Sequence, residues 1–355
     1  MLPALSACRR QFTVIERSLD LPEDPSPRLF DAALSRLGLR ARRTLAIDAT
    51  PEIAALPALA ETRLVAIQGW RPLHDALCAA GVDTRPAPTA DDHGFDIALV
   101  RLGRSRVRNL GAIALGLERL GQAGTLIVAG ANACGPASHA RLAGAHAAIA
   151  RFHGRVFWLT RGTAPDDATL ARWRDGVALA RVPPDLHYAA PGGFAWERID
   201  AASALLAAQL PPAIGGRVAD LGAGWGFLSL QLAARCPGIT ALDLYEADHA
   251  ALEAARRNLA DVAAAAFHWT DVTRGLPRQD YDAVVTNPPF HDDRTADPSI
   301  GRAFIRAAAD ALRPGGRLWL VANRRLPYEA ELRAAFARST QLAEAGGYKL
   351  LTATR

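Results

Sequence analysis

Val218-Ala219-Asp220-Leu221-Gly222-Ala223-Gly224-Trp225-Gly226 reads as the end of a buried strand, a glycine-rich turn and the start of a helix over Phe227 to Ala234. The spacing is D-x-G-x-G-x-G. A dinucleotide-binding turn wants G-x-G-x-x-G, and its third glycine position is held here by Phe227. Glycines let the backbone approach a ligand closely, but an acid just before the turn repels a pyrophosphate. Asp220 suits instead a ligand that carries an ammonium group. The same spacing argues against a nicotinamide oxidoreductase.

Further along, Ile239-Thr240-Ala241-Leu242-Asp243-Leu244-Tyr245 reads as a strand that delivers Glu246, twenty residues past Gly226. An acid there accepts both hydroxyls of a ribose. Asp243 is the rival for that role; Glu246 is preferred because the helix from Ala250 to Leu259 begins at the usual distance from it. Phe267-His268-Trp269-Thr270-Asp271 reads as a third strand ending in a carboxylate fit for an adenine amino group. Singly, such acids are most often solvated turn residues. In series at successive strand ends they form a pattern.

After the buried-strand pattern Tyr281-Asp282-Ala283-Val284-Val285 comes Thr286-Asn287-Pro288-Pro289-Phe290-His291. The Asn287 side-chain carbonyl and the Pro288 carbonyl can both accept hydrogen bonds from one exocyclic amine. Two prolines fix φ and remove competing backbone donors. Phe290 adds a flat apolar face for a planar base. On its own Asn-Pro-Pro is a turn that stops a strand. Downstream of the glycine turn and the acids, it suits methylation of an amino group on a planar ring.

Residues 218–323 resemble a class I S-adenosylmethionine-dependent methyltransferase with an N-P-P-[FY] motif. The longer Asn-Pro-Pro-Phe-His run resembles the bacterial ribosomal RNA guanine-N2 methyltransferases of the RsmC/RlmG type, which have a duplicated two-domain layout. Pro191-Gly192-Gly193-Phe194, with Asp200 soon after, resembles the segment preceding the catalytic core of that family. The chain departs from the family at Asp293, often Gly, and at Ala223, often Cys. The resemblance implies an α/β fold of two tandem Rossmann-like domains, the N-terminal one a degenerate duplicate. It implies S-adenosylmethionine over Gly222, Gly224 and Gly226, with Asp220 near the methionine amine, Glu246 on the ribose, Asp271 on the adenine and Asn287 close to the methyl group. Asn287, Pro288, Pro289 and Phe290 would then be catalytic and the substrate a guanine amine of small-subunit ribosomal RNA, extruded from its stack. No metal is required. His291 would take the released proton, contact RNA or stand by. Two alternatives are kept: methylation of adenine N6 or a glutamine amide at the same motif, and a non-catalytic ribosome-assembly factor, against which intact Asp220, Glu246 and Asn287 argue.

The first half mirrors the second. Phe95-Asp96-Ile97-Ala98-Leu99-Val100 matches Tyr281 to Val285, and Leu117 to Val128 matches Ala309 to Leu320. Each copy reads as strand, helix, glycine turn, strand, a βαβ unit. The first copy lacks the chemistry: it has Arg101-Leu102-Gly103-Arg104 in place of the Asn-Pro-Pro-Phe run and Asp48-Ala49-Thr50-Pro51 in place of the glycine turn. The expected division is 1–180 and 181–355, with a linker in the Pro-, Gly- and charge-rich stretch from Thr163 to Gly193.

A chain of 355 residues, 50% hydrophobic, suffices for two cores. Its four cysteines form no C-x-x-C pair, so neither zinc nor a disulfide framework is indicated. No run approaches a membrane span and MLPALSACRRQF lacks a signal-peptide core, so a soluble, cytoplasmic, monomeric protein is expected. The net charge of +5 agrees with a ribosomal RNA or ribosomal-subunit partner. Its basic residues are arginines except for Lys349. Arg101, Arg104, Arg106 and Arg108 form one cluster, and residues 301–355 carry ten basic against four acidic residues. Such groups supply salt-dependent phosphate affinity without sequence choice.

Overall fold

The computed structural model describes residues 24–145, 147–182, 187–289 and 298–355. Two compact units meet in sequence between Ala178 and Leu179. The N-terminal unit contains α1 (Ser26–Leu37), β1 (Arg43–Ile47), β2 (Arg63–Ile67), α2 (Arg71–Ala79), β3 (Asp83–Arg85), β4 (Phe95–Arg101), α3 (Arg106–Arg119), β5 (Leu120–Ala131), α4 (Pro136–Leu142), β6 (Ala147–Arg151), β7 (Gly154–Thr160) and α5 (Asp167–Asp175). The C-terminal unit opens on a small hairpin of β8 (Ala180–Val182) and β9 (His187–Ala189). It continues with α6 (Ala201–Gln209), β10 (Gly215–Leu221), α7 (Phe227–Arg235), β11 (Gly238–Glu246), α8 (His249–Asn258), β12 (Ala265–Trp269), β13 (Tyr281–Thr286), α9 (Ser299–Ala311), β14 (Leu312–Asn323), α10 (Glu329–Ala335), β15 (Arg338–Ala345) and β16 (Tyr348–Thr354).

Each unit is built on one seven-stranded sheet. The orders are β3-β2-β1-β4-β5-β7-β6 and β12-β11-β10-β13-β14-β16-β15, the same order twice. In both, the first five strands are parallel and the last two antiparallel. The register repeats too: Phe95 pairs with Leu120 and Tyr281 with Leu312, and each pair is followed by a shift. The mirrored segments therefore occupy one place in two copies of one fold.

The central strands of each sheet are apolar on both faces because helices cover both sides. In the first unit Ala46, Ile97 and Leu99 pack against Leu29, Phe30 and Leu34 of α1. The alternate residues Leu45, Ala98 and Val100 pack against Ile113 and Leu117 of α3. In the second unit Val218, Ala283 and Val285 join Leu206 of α6, while Ala219 and Val284 join Phe304 and Ile305 of α9.

The stretch from Thr163 to Gly193 is not a free linker. Asp166 caps α5, accepting from the Thr169 N–H at 2.7 Å, and buried Trp173 anchors that helix in the first core. The residues from Leu179 onward belong to the second unit and include the hairpin. Charge and proline concealed a short helix that packs through Trp173 and Leu170.

Candidate active site

Strand order reverses between β10 and β13, and the crevice of such a sheet opens at the carboxyl ends there. The turn after β10 holds Gly222, Gly224 and Gly226 at φ of 72°, 56° and 90°. Glycine takes this left-handed region without strain. The Gly222 and Ala223 N–H groups donate to the Tyr245 carbonyl at 2.8 and 3.1 Å, tying the turn to the end of β11. A Cβ on Gly226 would stand 2.7 Å from Leu259 Cδ1, whereas one on Gly224 would meet nothing within 4 Å. Gly226 is thus needed for packing against the end of α8, and Gly224 faces open space.

The acids at the strand ends divide by what already engages them. Glu246 accepts at Oε2 from the Gly224 N–H and at Oε1 from the Ala247 and Asp248 N–H groups, each at 2.8 Å. It holds the glycine turn and the start of α8 together, and burial pushes its carboxyl above the usual range. A ribose hydroxyl would share Oε2. Asp243 is engaged within the sheet. Its Oδ1 meets His268 Nε2 and its Oδ2 accepts from Tyr281 Oη, both at 2.8 Å, and Tyr281 Oη lies 2.8 Å from Tyr245 Oη. Asp271 is buried and caps the turn over Val272–Arg274, its Oδ1 accepting from the Thr273 N–H and Oγ1 at 3.0 and 2.6 Å.

Asp220 is fully buried. Its Oδ2 accepts from Ser229 Oγ at 2.7 Å, while Oδ1 finds no partner among the described residues. Burial pushes its carboxyl up to about 7. A cation brought near would restore the charged form.

Asn287 follows directly on β13 and is 9% exposed. Its Nδ2 donates to Asp200 Oδ2 and to Ser203 Oγ, both at 2.9 Å. Its Oδ1 is buried without a partner among the described residues. Asp200 precedes α6, and its Oδ2 also accepts from the Ser203 N–H at 2.8 Å. Neither Asp200 nor Ser203 stood out in the sequence as a site residue. Asp200 carried the signal of a helix cap and of the upstream resemblance, and Ser203 carried none. Pro288 is buried and Pro289 exposed. Phe290, His291 and Asp293 lie outside the described residues.

A cleft joins these parts; Gly222, Gly224, Asp200, Ser203 and Asn287 line it together with Phe194, which is 62% exposed. Glycine turn and amide share one wall. Asp220, Glu246 and Asp271 are not among the lining residues.

The first unit carries the same positions with other side chains. By strand register Asp48 stands for Gly222, at a φ of 55° rare for a residue with a Cβ. Gln68 stands for Glu246: its Oε1 accepts from the Trp70 N–H and its Nε2 donates to the Ala49 carbonyl, both at 3.0 Å. Arg101 stands for Asn287, its Nε donating to the Asp48 carbonyl and its guanidinium 3.7 Å from Asp24. Arg101 is thus engaged within its own unit. Arg104 and Arg106 are exposed, and Arg108 is half-buried.

Among the described residues no group of three or more His, Cys, Asp or Glu is placed to hold a metal ion, and no helix is long and apolar enough to cross a membrane.

Residues 187–352 match the family described as methyltransferase small domain. The chain is 37% identical over 169 residues to the ribosomal RNA small subunit methyltransferase C of Chromohalobacter salexigens, covering 46% of this chain and 50% of that protein. It is 35% identical over 167 residues to the ribosomal RNA large subunit methyltransferase G of Shewanella amazonensis, covering 46% and 43%. The chain thus spans about half the length of the curated relatives it matches. A solved structure of the Thermus thermophilus 16S rRNA N2 G1207 methyltransferase RsmC, in complex with AdoMet and guanosine, superposes with a TM-score of 0.77 at 28% identity, over 94% of this chain and 92% of that one. With the sheet order repeated in both units and the glycine turn and Asn287 lining one cleft, the chain is similar over nearly its whole length to the RsmC structure, and its residues 187–352 match the methyltransferase small domain family.

Proposed function

We propose that the chain transfers the methyl group of S-adenosylmethionine to the exocyclic N2 amine of a guanine in small-subunit ribosomal RNA. The observation that carries this reading is the buried, unpartnered Oδ1 of Asn287 on the same cleft as the glycine turn. The relatives named for ribosomal RNA methylation and the guanosine-bound RsmC support the choice of substrate.

The cleft fits the cofactor. Gly224 leaves space that a side chain would occupy, and Asp220 keeps an unpartnered buried oxygen below the turn. Gly222, Gly224 and Gly226 would hold the cofactor, with Asp220 serving its ammonium, Glu246 its ribose and Asp271 its adenine. The bound cofactor supplies an electrophilic methyl carbon on a sulfonium. Everything else is the work of protein groups. Asn287 Oδ1 and the Pro288 carbonyl accept the two amine hydrogens and aim the nitrogen. The guanine amine is a weak nucleophile because its lone pair is delocalised into the ring. Acceptors on its hydrogens rehybridise the nitrogen and stabilise the charge that develops on it. Positioning supplies most of the acceleration, for which roughly 7–11 kcal/mol is available in favourable cases.

In this reading Phe290 stacks on the base and His291 receives the proton or contacts RNA. The N-terminal unit, up to about residue 180, contributes RNA contacts through Arg104, Arg106 and Arg108. The protein acts as a cytoplasmic monomer. Incubating it with methyl-labelled S-adenosylmethionine and either naked 16S RNA or small subunits, then digesting to nucleosides for mass spectrometry, should give N2-methylguanosine. Label in N6-methyladenosine, or in protein glutamine, would refute the guanine assignment.

A further inference from the structure

Asp200 meets neither cofactor nor base in the scheme above, yet its carboxylate holds the side chain on which both converge. We propose that Asp200, assisted by Ser203, is the positioning residue of the methyl transfer: it locks the Asn287 amide with Oδ1 toward the amine and strengthens that oxygen as an acceptor. The proposal rests on the reading of an amine substrate given above.

An asparagine amide turned half-way round exchanges donor for acceptor at almost no intrinsic cost. Only one orientation can take hydrogens from an amine. Asp200 Oδ2 and Ser203 Oγ each lie 2.9 Å from Asn287 Nδ2. A hydroxyl serves either orientation, because it both donates and accepts. An ionised carboxylate only accepts, so a turned amide would set oxygen against oxygen. The selection therefore belongs to Asp200. Asp200 is itself fixed, since the same Oδ2 takes the Ser203 N–H at 2.8 Å in capping α6. The start of α6 and the end of β13 are joined through one oxygen atom.

Charge adds to orientation. A negative group beside the amide nitrogen favours the resonance form with more charge on Oδ1, and that gain grows as the substrate nitrogen becomes cationic. Oδ1 is buried and unpartnered among the described residues, a state that folding ordinarily avoids. The first unit offers a comparison. There Asp24, just ahead of α1, lies 3.7 Å from Arg101, the counterpart of Asn287. A carboxylate at the first helix faces the strand end in both copies. Only in the second does it face an amide with a free acceptor.

As a helix cap alone, Asp200 would be replaceable by Asn, which caps as well as Asp. The full-length Asp200→Asn variant separates the two roles. It keeps the cap, and with it an oxygen that can still accept from Asn287 Nδ2, but it loses the charge and can also offer an N–H to a turned amide, so the orientation is no longer enforced. The expected result is an unchanged thermal midpoint, unchanged affinity for S-adenosylhomocysteine, unchanged KM for RNA and a kcat lower by at least roughly tenfold. Ser203→Ala should lower kcat by less than about tenfold, because Asp200 still selects the orientation. A stable Asp200→Asn protein with kcat within twofold of wild type overturns the proposal. A second measurement needs neither folding of a variant nor the correct substrate: solvent exchange of the Asn287 side-chain amide protons by nuclear magnetic resonance in the wild-type protein. Slow exchange is expected, and exchange at the rate of a free amide overturns the proposal. Wild-type protein that methylates no guanine while this amide stays protected would refute the substrate assignment and leave the locked amide standing.

Discussion

Asn287 shows how far a single residue can be read. Its place after a strand and before two prolines marked it as an acceptor. Its partners Asp200 and Ser203 were hidden, because contacts between residues 87 and 84 positions apart leave no local trace. Asn287→Ala removes the acceptor and leaves the glycine turn intact. Methyl transfer should fall by at least roughly 100-fold while affinity for S-adenosylhomocysteine stays within a few-fold, as label transfer and calorimetry would show. Asp220 was legible as an acid before glycines, but its burial was not. With its carboxyl raised to about 7 from 3.8, the protonated form is the one that suits the fold. The associated stability is complete below about pH 4 and is lost as pH rises through about 7, on the order of 4 kcal/mol at full ionisation. Asp220→Asn should therefore raise the thermal midpoint of the ligand-free protein above neutrality and have little effect below about pH 4. An ammonium ligand reverses the preference, so wild-type affinity for S-adenosylhomocysteine should increase with pH through about 7 and that of Asp220→Asn should not. Calorimetry across that range checks both.

At the level of elements, the glycine turn performs two tasks that sequence spacing does not separate. Gly226→Ala would press a methyl against Leu259 at 2.7 Å with φ at 90°. Overpacking together with left-handed strain should destabilise the protein by about 2–4 kcal/mol in denaturant unfolding. Gly224→Ala meets nothing within 4 Å, so only the backbone strain remains, about 1–2 kcal/mol. Its methyl enters the space assigned to the cofactor. It should weaken S-adenosylhomocysteine binding tenfold or more with a much smaller loss of stability, and equal effects of the two substitutions on stability would contradict this division. Strands were the readable elements, since β4 and β13 are apolar on both faces and coincide in register. Helix α5 was not readable. Its surface is charged and only Trp173 and the half-buried Leu170 tie it to the core. The partners of Asp243 were equally hidden, since His268 and Tyr281 lie 25 and 38 residues on.

For the molecule as a whole, duplication was visible because strand and helix patterns repeat in the same order, and the structure gives both sheets one strand order. What the arginines do was less visible, since a basic side chain looks alike in sequence whether it faces water or its own carbonyls. Arg101 is tied to Asp48 and Asp24, whereas Arg104 and Arg106 are exposed. Arg104→Glu combined with Arg106→Glu should lower RNA affinity and reduce the slope of log affinity against log salt by about 1–2, with cofactor affinity unchanged. An unaltered slope would make the first unit a scaffold. The manner in which its crevice closed also has a history-like effect. Arg101 serves the Asp48 carbonyl and the Asp24 carboxylate, and Gln68 the Ala49 carbonyl, so restoring asparagine at 101 alone would strand a carbonyl and a carboxylate without supplying a glycine turn. Return to catalysis would demand several simultaneous changes, each unfavourable by itself. The loss of chemistry in that half behaves as a ratchet, leaving its surface free to diverge while its architecture is held in place.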